Sequence, residues 1–105
     1  MAQFDFYKNP RGGSYPLLLD VQADVLSRLA TRAVVPLMSL KRYGAKPITR
    51  LNPIAKIAAV DYVLLVQELS AMPASALVSK QGSLAARRAD IVAALDLLLT
   101  GLWSP

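Results

Sequence analysis

The chain has 105 residues, 54% of them hydrophobic, a mean hydropathy of +0.38, a net charge of +5, and neither Cys nor His. That length predicts one domain, residues 1–105, with a real core but about a third of its unfolded surface still in water. The absence of Cys and His excludes disulfides, thiolate and imidazole metal sites, cysteine nucleophiles and the commonest general base, so most hydrolase mechanisms fall away. No metal, no cofactor and no catalytic residue are expected. So rich an apolar content in so small a domain predicts self-association as a homodimer. The apolar runs are broken by Asp61, Glu68, Pro73 and Asp96, well short of the roughly 20 residues of a membrane span. Residues 1–5 lack the basic and apolar regions of a signal peptide, so a cytoplasmic protein with no membrane partner is expected.

The charge is uneven. Arg28, Arg32, Lys41, Arg42, Lys46, Arg50 and Lys56 lie in a stretch, residues 25–60, that holds no acid. This favours an acidic partner, either an acidic peptide or nucleic acid. The spacing of the charges and the few aromatics fit a solvated basic face equally well, and no direct sequence-specific nucleic-acid binding is expected.

In chain order, residues 3–8 alternate as a half-buried strand with Phe4 and Phe6 on one face. Residues 9–14 (Asn-Pro-Arg-Gly-Gly-Ser) form a turn or loop. Residues 15–22 form a second strand, centred on Leu17-Leu18-Leu19, that pairs with the first as a hairpin. Residues 23–31 have the helical spacing of Val25, Leu26 and Leu29 but are short enough for a structured loop. Residues 32–38 are strand-like around Val34-Val35, with Pro36 pointing to an edge or a bulge. Residues 43–47 are a loop. The span 54–72 is divided: its Ala, Leu, Gln and Glu favour helix, whereas Tyr62-Val63-Leu64-Leu65-Val66 favours strand, and propensity alone leans to helix. Pro73 ends it. Residues 80–83 are a break, after which Ser83 caps a helix over residues 84–100. Leu84, Ile91, Leu95 and Leu98 lie along one face of that helix, which stops at Thr100-Gly101 because glycine most easily takes the left-handed conformation. An apolar tail, Leu102-Trp103-Ser104-Pro105, follows.

The order of segments resembles the CcdB-type plasmid maintenance toxins, inhibitors of DNA gyrase. The residues that carry this are Gln3-Phe4, Tyr15, the run Leu19-Asp20-Val21-Gln22-Ala23-Asp24-Val25-Leu26, Arg32 with Val34-Val35-Pro36-Leu37, Leu51 with Pro53-Ile54 and Ile57, Met72-Pro73, Asp90-Ile91, Ala94-Leu95-Asp96 and Gly101-Leu102. The resemblance covers nearly the whole chain. It implies a mainly β fold, an SH3-like antiparallel barrel with a C-terminal α-helix, assembled as a twofold dimer. It also implies strands at residues 53–58 and 61–70, joined by a turn near Ala59-Val60, against the propensity reading.

The family's activity is implied in the same way. These toxins are not enzymes in the usual sense; the dimer inserts between the A subunits of gyrase and traps the cleaved-DNA complex. A CcdA-like antitoxin with an acidic disordered tail neutralises them. The resemblance places target contacts at Leu99, Thr100, Gly101 and Leu102, matching an aromatic-Trp-Gly-Ile pattern in which Thr100 stands for the family Trp. Asp24, Val25, Leu26 and Asp96 match positions near the same surface, and Trp103 extends past the usual end. Related ribonuclease toxins on this barrel offer an alternative, for which Arg32 and Asp24 are the only nominees. A chromosomal relative that keeps antitoxin binding but has lost toxicity is a third, favoured by Thr100.

Overall fold

In the computed structural model, which describes residues 2–101, the N-terminal hairpin forms as expected. Strand β1 (Asp5–Lys8) pairs antiparallel with β2 (Leu17–Asp20), Phe6 opposite Leu19. Both strands are shorter than their sequence patterns because the chain turns just before β1. Phe4 adopts φ 71°, and its N–H donates to the Asp20 carbonyl at 2.6 Å. A left-handed residue costs about 1–2 kcal/mol, which burial of the Phe4 ring offsets with about 1.5–3 kcal/mol.

The longest strand, β3 (Thr31–Ser39), runs through the middle of the sheet and ends in a single helical turn, α1 (Leu40–Tyr43), capped by the Ser39 hydroxyl, which accepts from Arg42 N. One side of β3 pairs with β2 over residues 34–37. The other side changes partner: residues 31–34 pair with β6 (Ser70–Pro73) and residues 37–39 with β5 (Val60–Leu64). Pro36 is therefore neither at an edge nor in a bulge. It sits in the gap between these two partners, where its carbonyl accepts from Leu65 N at 3.0 Å. A strand residue directs its N and C=O to the same side, so the missing N–H faces that gap and no ladder bond to β2 is lost.

The divided span resolves as strand. Strand β4 (Ile54–Ile57) and β5 form a hairpin, after which the chain leaves the extended conformation at Leu65, makes a 3-10 turn over Val66–Glu68 and only then enters β6. The expected single strand over residues 61–70 is broken there because Val66 is fully buried against the core. The connecting turn is Ala58-Ala59, one residue earlier than expected, and both alanines have positive φ, 51° and 67°. This is the two-residue geometry that normally uses Asn-Gly. Ala58→Asn with Ala59→Gly is expected to stabilise the fold by about 1 kcal/mol, read as a shifted urea midpoint at unchanged slope.

Residues 80–83 are not a break. They form β7 (Lys80–Ser83), which pairs with β1. Gly82 is needed because a Cβ there would lie 2.8 Å from Cζ of the buried Phe6 ring. The Ser83 hydroxyl accepts from Ala85 N at 3.1 Å and starts a 3-10 turn (Ala85–Arg87), and the helix proper, α2 (Arg88–Thr100), begins later than expected, without a side-chain cap. Two arginines dock its first turn instead. Arg87 Nη1 donates to the Ile54 carbonyl at 2.6 Å, while Arg88 Nη1 donates to Gln3 Oε1 at 2.9 Å with its guanidinium over the Phe4 ring.

The strand order β4-β5-β3-β2-β1-β7, with β6 beside β3, makes a curled half-barrel followed by the C-terminal helix, as the resemblance implied. One face packs Phe6, Leu19, Val35 and Leu64 against Ile91 and Ala94 of α2. The other face holds Tyr7, Leu18, Val34 and Leu77. Leu98, expected on the buried stripe of the helix, is 36% exposed, and Ala94 takes its place in the core. Among the described residues no helix is long and apolar enough to cross a membrane.

Candidate functional site

Asp24, Val25 and Leu26 form a single 3-10 turn between β2 and β3. Val25 at its apex is 87% exposed and Leu26 48%, an arrangement that water disfavours and neighbouring hydrogen bonds must hold. The run Asp20-Val21-Gln22-Ala23-Asp24 supplies them. Asp20 Oδ1 accepts from Gln22 N at 3.0 Å. Gln22 then joins β3 to the turn, accepting from Ala33 N at 3.2 Å and donating to the Leu26 carbonyl at 2.9 Å. Asp24 Oδ1 accepts from Gln3 N at 2.8 Å, and Gln3 in turn donates to the Val21 carbonyl. Each polar member of the run thus has a structural partner, and together they brace the turn that carries Val25.

Beneath this brace, Arg32 closes on Asp20. Arg32 Nε donates to Asp20 Oδ2 at 3.0 Å and Nη2 donates to the same oxygen. The two residues are 1% and 0% exposed, and Arg32 Nη1 is buried with no partner. The proposed RNA-cleaving pair of Arg32 with Asp24 is thereby overturned: Arg32 is spent on Asp20, and its burial keeps any phosphate from reaching it.

Tyr7, also buried, lies near this charge cluster. Its hydroxyl pKa is raised above 10.0, first by desolvation and then by the Asp5 and Asp20 carboxylates, with Arg32 acting in the opposite sense. The unfolded chain therefore releases the Tyr7 proton at lower pH than the folded one. Its contribution to stability is intact below the ordinary tyrosine value and is lost as pH rises through the folded one. Urea unfolding between about pH 9 and 12 is expected to show this alkaline loss, and Tyr7→Phe is expected to reduce it.

The second group of candidates lies at the end of α2. Gly101 takes φ 67° and its N–H donates to the Leu97 carbonyl at 3.1 Å, so the helix stops where the sequence indicated. Leu99 is 68% exposed, and the Thr100 hydroxyl donates to the Asp96 carbonyl at 2.7 Å. Leu102 and Trp103 lie outside the described residues. The structure does not bring the two groups together within one protomer. Asp24 is linked through Gln3 to Arg88 in the first turn of α2, whereas Thr100 ends the same helix, about 18 Å further along its axis.

Sequence reasoning missed Gln3 and Gln22 as positioning residues, although both stand in the segments that carry the family resemblance. It also missed the pairing of Asp20 with Arg32, for which an acid and a base twelve positions apart give no local signal.

A half-barrel sheet closed on one face by a terminal helix, with exposed aliphatic side chains held out at a braced turn and at the helix end, defines a small mainly β barrel protein with a C-terminal helix. A family model described as CcdB protein matches residues 3–101. The chain belongs to the CcdB family and is a toxin of the toxin–antitoxin kind; the family is one of gyrase-poisoning toxins rather than of catalytic enzymes. Partnering with an antitoxin follows from that membership.

Proposed function

We propose that this toxin acts as a homodimer in the cytoplasm, binds the A subunit of DNA gyrase and traps its cleaved-DNA complex. Leu99, Thr100, Gly101 and Leu102 are the central contacts in this reading, with Asp96, Asp24, Val25 and Leu26 flanking them and Trp103 extending the surface. The observation that carries it is the helix end: α2 stops at Gly101 in the left-handed conformation, and Leu99 in its last turn stands 68% exposed. A second copy resolves the separation of the two groups, because twofold symmetry can set the helix end of one protomer beside the braced turn of the other. An antitoxin with an acidic disordered tail fits the acid-free segment, residues 25–60.

Gyrase supercoiling and cleavage assays with the purified protein test this. Inhibition with accumulation of cleaved DNA is the expected result; a folded protein that produces neither removes the reading. One observation favours a second reading, a relative that keeps antitoxin binding without toxicity: Thr100 stands where the family Trp would be. Unimpaired growth of a sensitive host on overexpression, with antitoxin binding retained, would establish it.

A further inference from the structure

A cation in the first turn of a helix opposes the helix dipole, whose N-terminal end is positive, so acidic side chains are favoured there. In α2 Asp90 follows that rule and Arg88 breaks it. Arg87 offsets its charge on Asp90, with Nη2 3.0 Å from Oδ2, whereas Arg88 has no ion pair among the described residues. A residue that breaks a local preference is kept for what it touches elsewhere. Arg88 touches the N-terminal turn: Nη1 donates to Gln3 Oε1 at 2.9 Å, and the guanidinium lies 5.6 Å from the centroid of the buried Phe4 ring, within cation–π range. Gln3 and Phe4 are the central residues of that turn, which Asp5 N closes by donating to the Ala2 carbonyl at 3.0 Å. Phe4, at φ 71°, holds the second central position, where glycine or asparagine is usual. A left-handed Phe is strained, and such strain is found where a surface must be held in one shape.

The turn sets Gln3 against the segment that carries Val25. Gln3 N donates to Asp24 Oδ1 at 2.8 Å, and its Nε2 donates to the Val21 carbonyl at 3.1 Å. The side-chain amide can satisfy Arg88 and Val21 in one orientation only. Flipped, it would set its NH2 against the Arg88 guanidinium and its oxygen against the Val21 carbonyl. Arg88 therefore selects the orientation that ties Gln3 to Val21, and through Gln3 it holds one brace of the Val25 turn; Gln22, which donates to the Leu26 carbonyl, holds another. We infer that Arg88 is a positioning residue for target binding: it fixes the Val25 turn relative to α2, so that the turn and the helix end meet the target at one set spacing. This role rests on the gyrase reading, because the spacing matters only where one target touches both surfaces.

Arg88→Glu in the full-length protein separates this role from helix stability, because the two predict opposite signs. The substitution relieves the helix dipole, so the melting temperature is expected to hold or rise. The new carboxylate repels Gln3 Oε1, and amide hydrogen exchange at Gln3 and at residues 24–26 is expected to quicken about tenfold. Inhibition of gyrase supercoiling is expected to weaken by about tenfold, since a looser turn must be ordered on binding. Arg88→Lys, which keeps a donor for Gln3, is expected to bring protection and inhibition to within about threefold of wild type. Ala89→Glu, which adds an acid at the neighbouring exposed position, is expected to leave both within about twofold. Unchanged exchange in Arg88→Glu, a fall in its melting temperature that accounts for the faster exchange, or equal losses in Ala89→Glu overturns the inference, as does faster exchange with inhibition at the wild-type level. Wild-type protein that leaves gyrase active, while Arg88→Glu still loosens residues 24–26, would refute the proposed target and leave the hold of Arg88 on the turn standing.

Discussion

Thr100→Trp is expected to strengthen inhibition of gyrase by about thirtyfold, the equivalent of about 2 kcal/mol for a tryptophan at the centre of an interface. Thr100 is exposed at the end of α2, with its hydroxyl turned back onto the Asp96 carbonyl. The larger side chain therefore enters solvent or a partner and does not press on the core, and the substitution is expected to leave the urea midpoint nearly unchanged. Loss of the Thr100 hydrogen bond is small beside this gain, since Asp96, whose carbonyl accepts it, is exposed to water. A dose–response curve for supercoiling decides the matter. Unchanged inhibition by a folded Thr100→Trp protein would show that the helix end is not the target contact in this chain.

Arg32→Ala is expected to be the most destabilising of the simple truncations, at about 3–5 kcal/mol, because it leaves the Asp20 carboxylate buried without its cation. That is a large share of the roughly 5–15 kcal/mol typical of a domain. The double substitution Asp20→Leu/Arg32→Met is expected to recover most of the loss, since a buried ion pair is often replaceable by packed apolar groups. Recovery should fall short by about 1 kcal/mol, because Gln22 N also donates to Asp20 and would be left without an acceptor. Urea unfolding of the two variants supplies the comparison. Hydrogen exchange at residues 24–26 is expected to quicken in both, since Gln22 holds the Leu26 carbonyl from the same hub.

By itself the sequence determined the features whose cause is local. Asn9, Pro10, Gly12 and Gly13 make a turn wherever they occur, so the β1–β2 hairpin was legible. Gly101 ends the helix because no other residue enters the left-handed region so cheaply. The family was legible in the Asp-Val-Gln-x-Asp run and in the Val-Pro-Leu segment, and with it the half-barrel and its helix.

What only the tertiary structure decided concerns pairs of residues distant in the chain. β7 has no alternating apolar pattern, and its Lys-Gln-Gly-Ser is extended because the edge of β1 needs a partner and Phe6 needs the space a glycine leaves. The chain between residues 54 and 73 follows its neighbours on β3 and not its own helical propensity, and Pro36 is tolerated mid-sheet because β3 changes partners there. Arg32 reads in the sequence as one more member of a basic stretch. The fold buries it on Asp20 and converts a candidate for catalysis into the support of the turn that displays Val25. Local conformational preference acts within a few residues and can be read along the chain. Burial and pairing depend on which surfaces meet, and that is fixed only when the sheet has closed around its core.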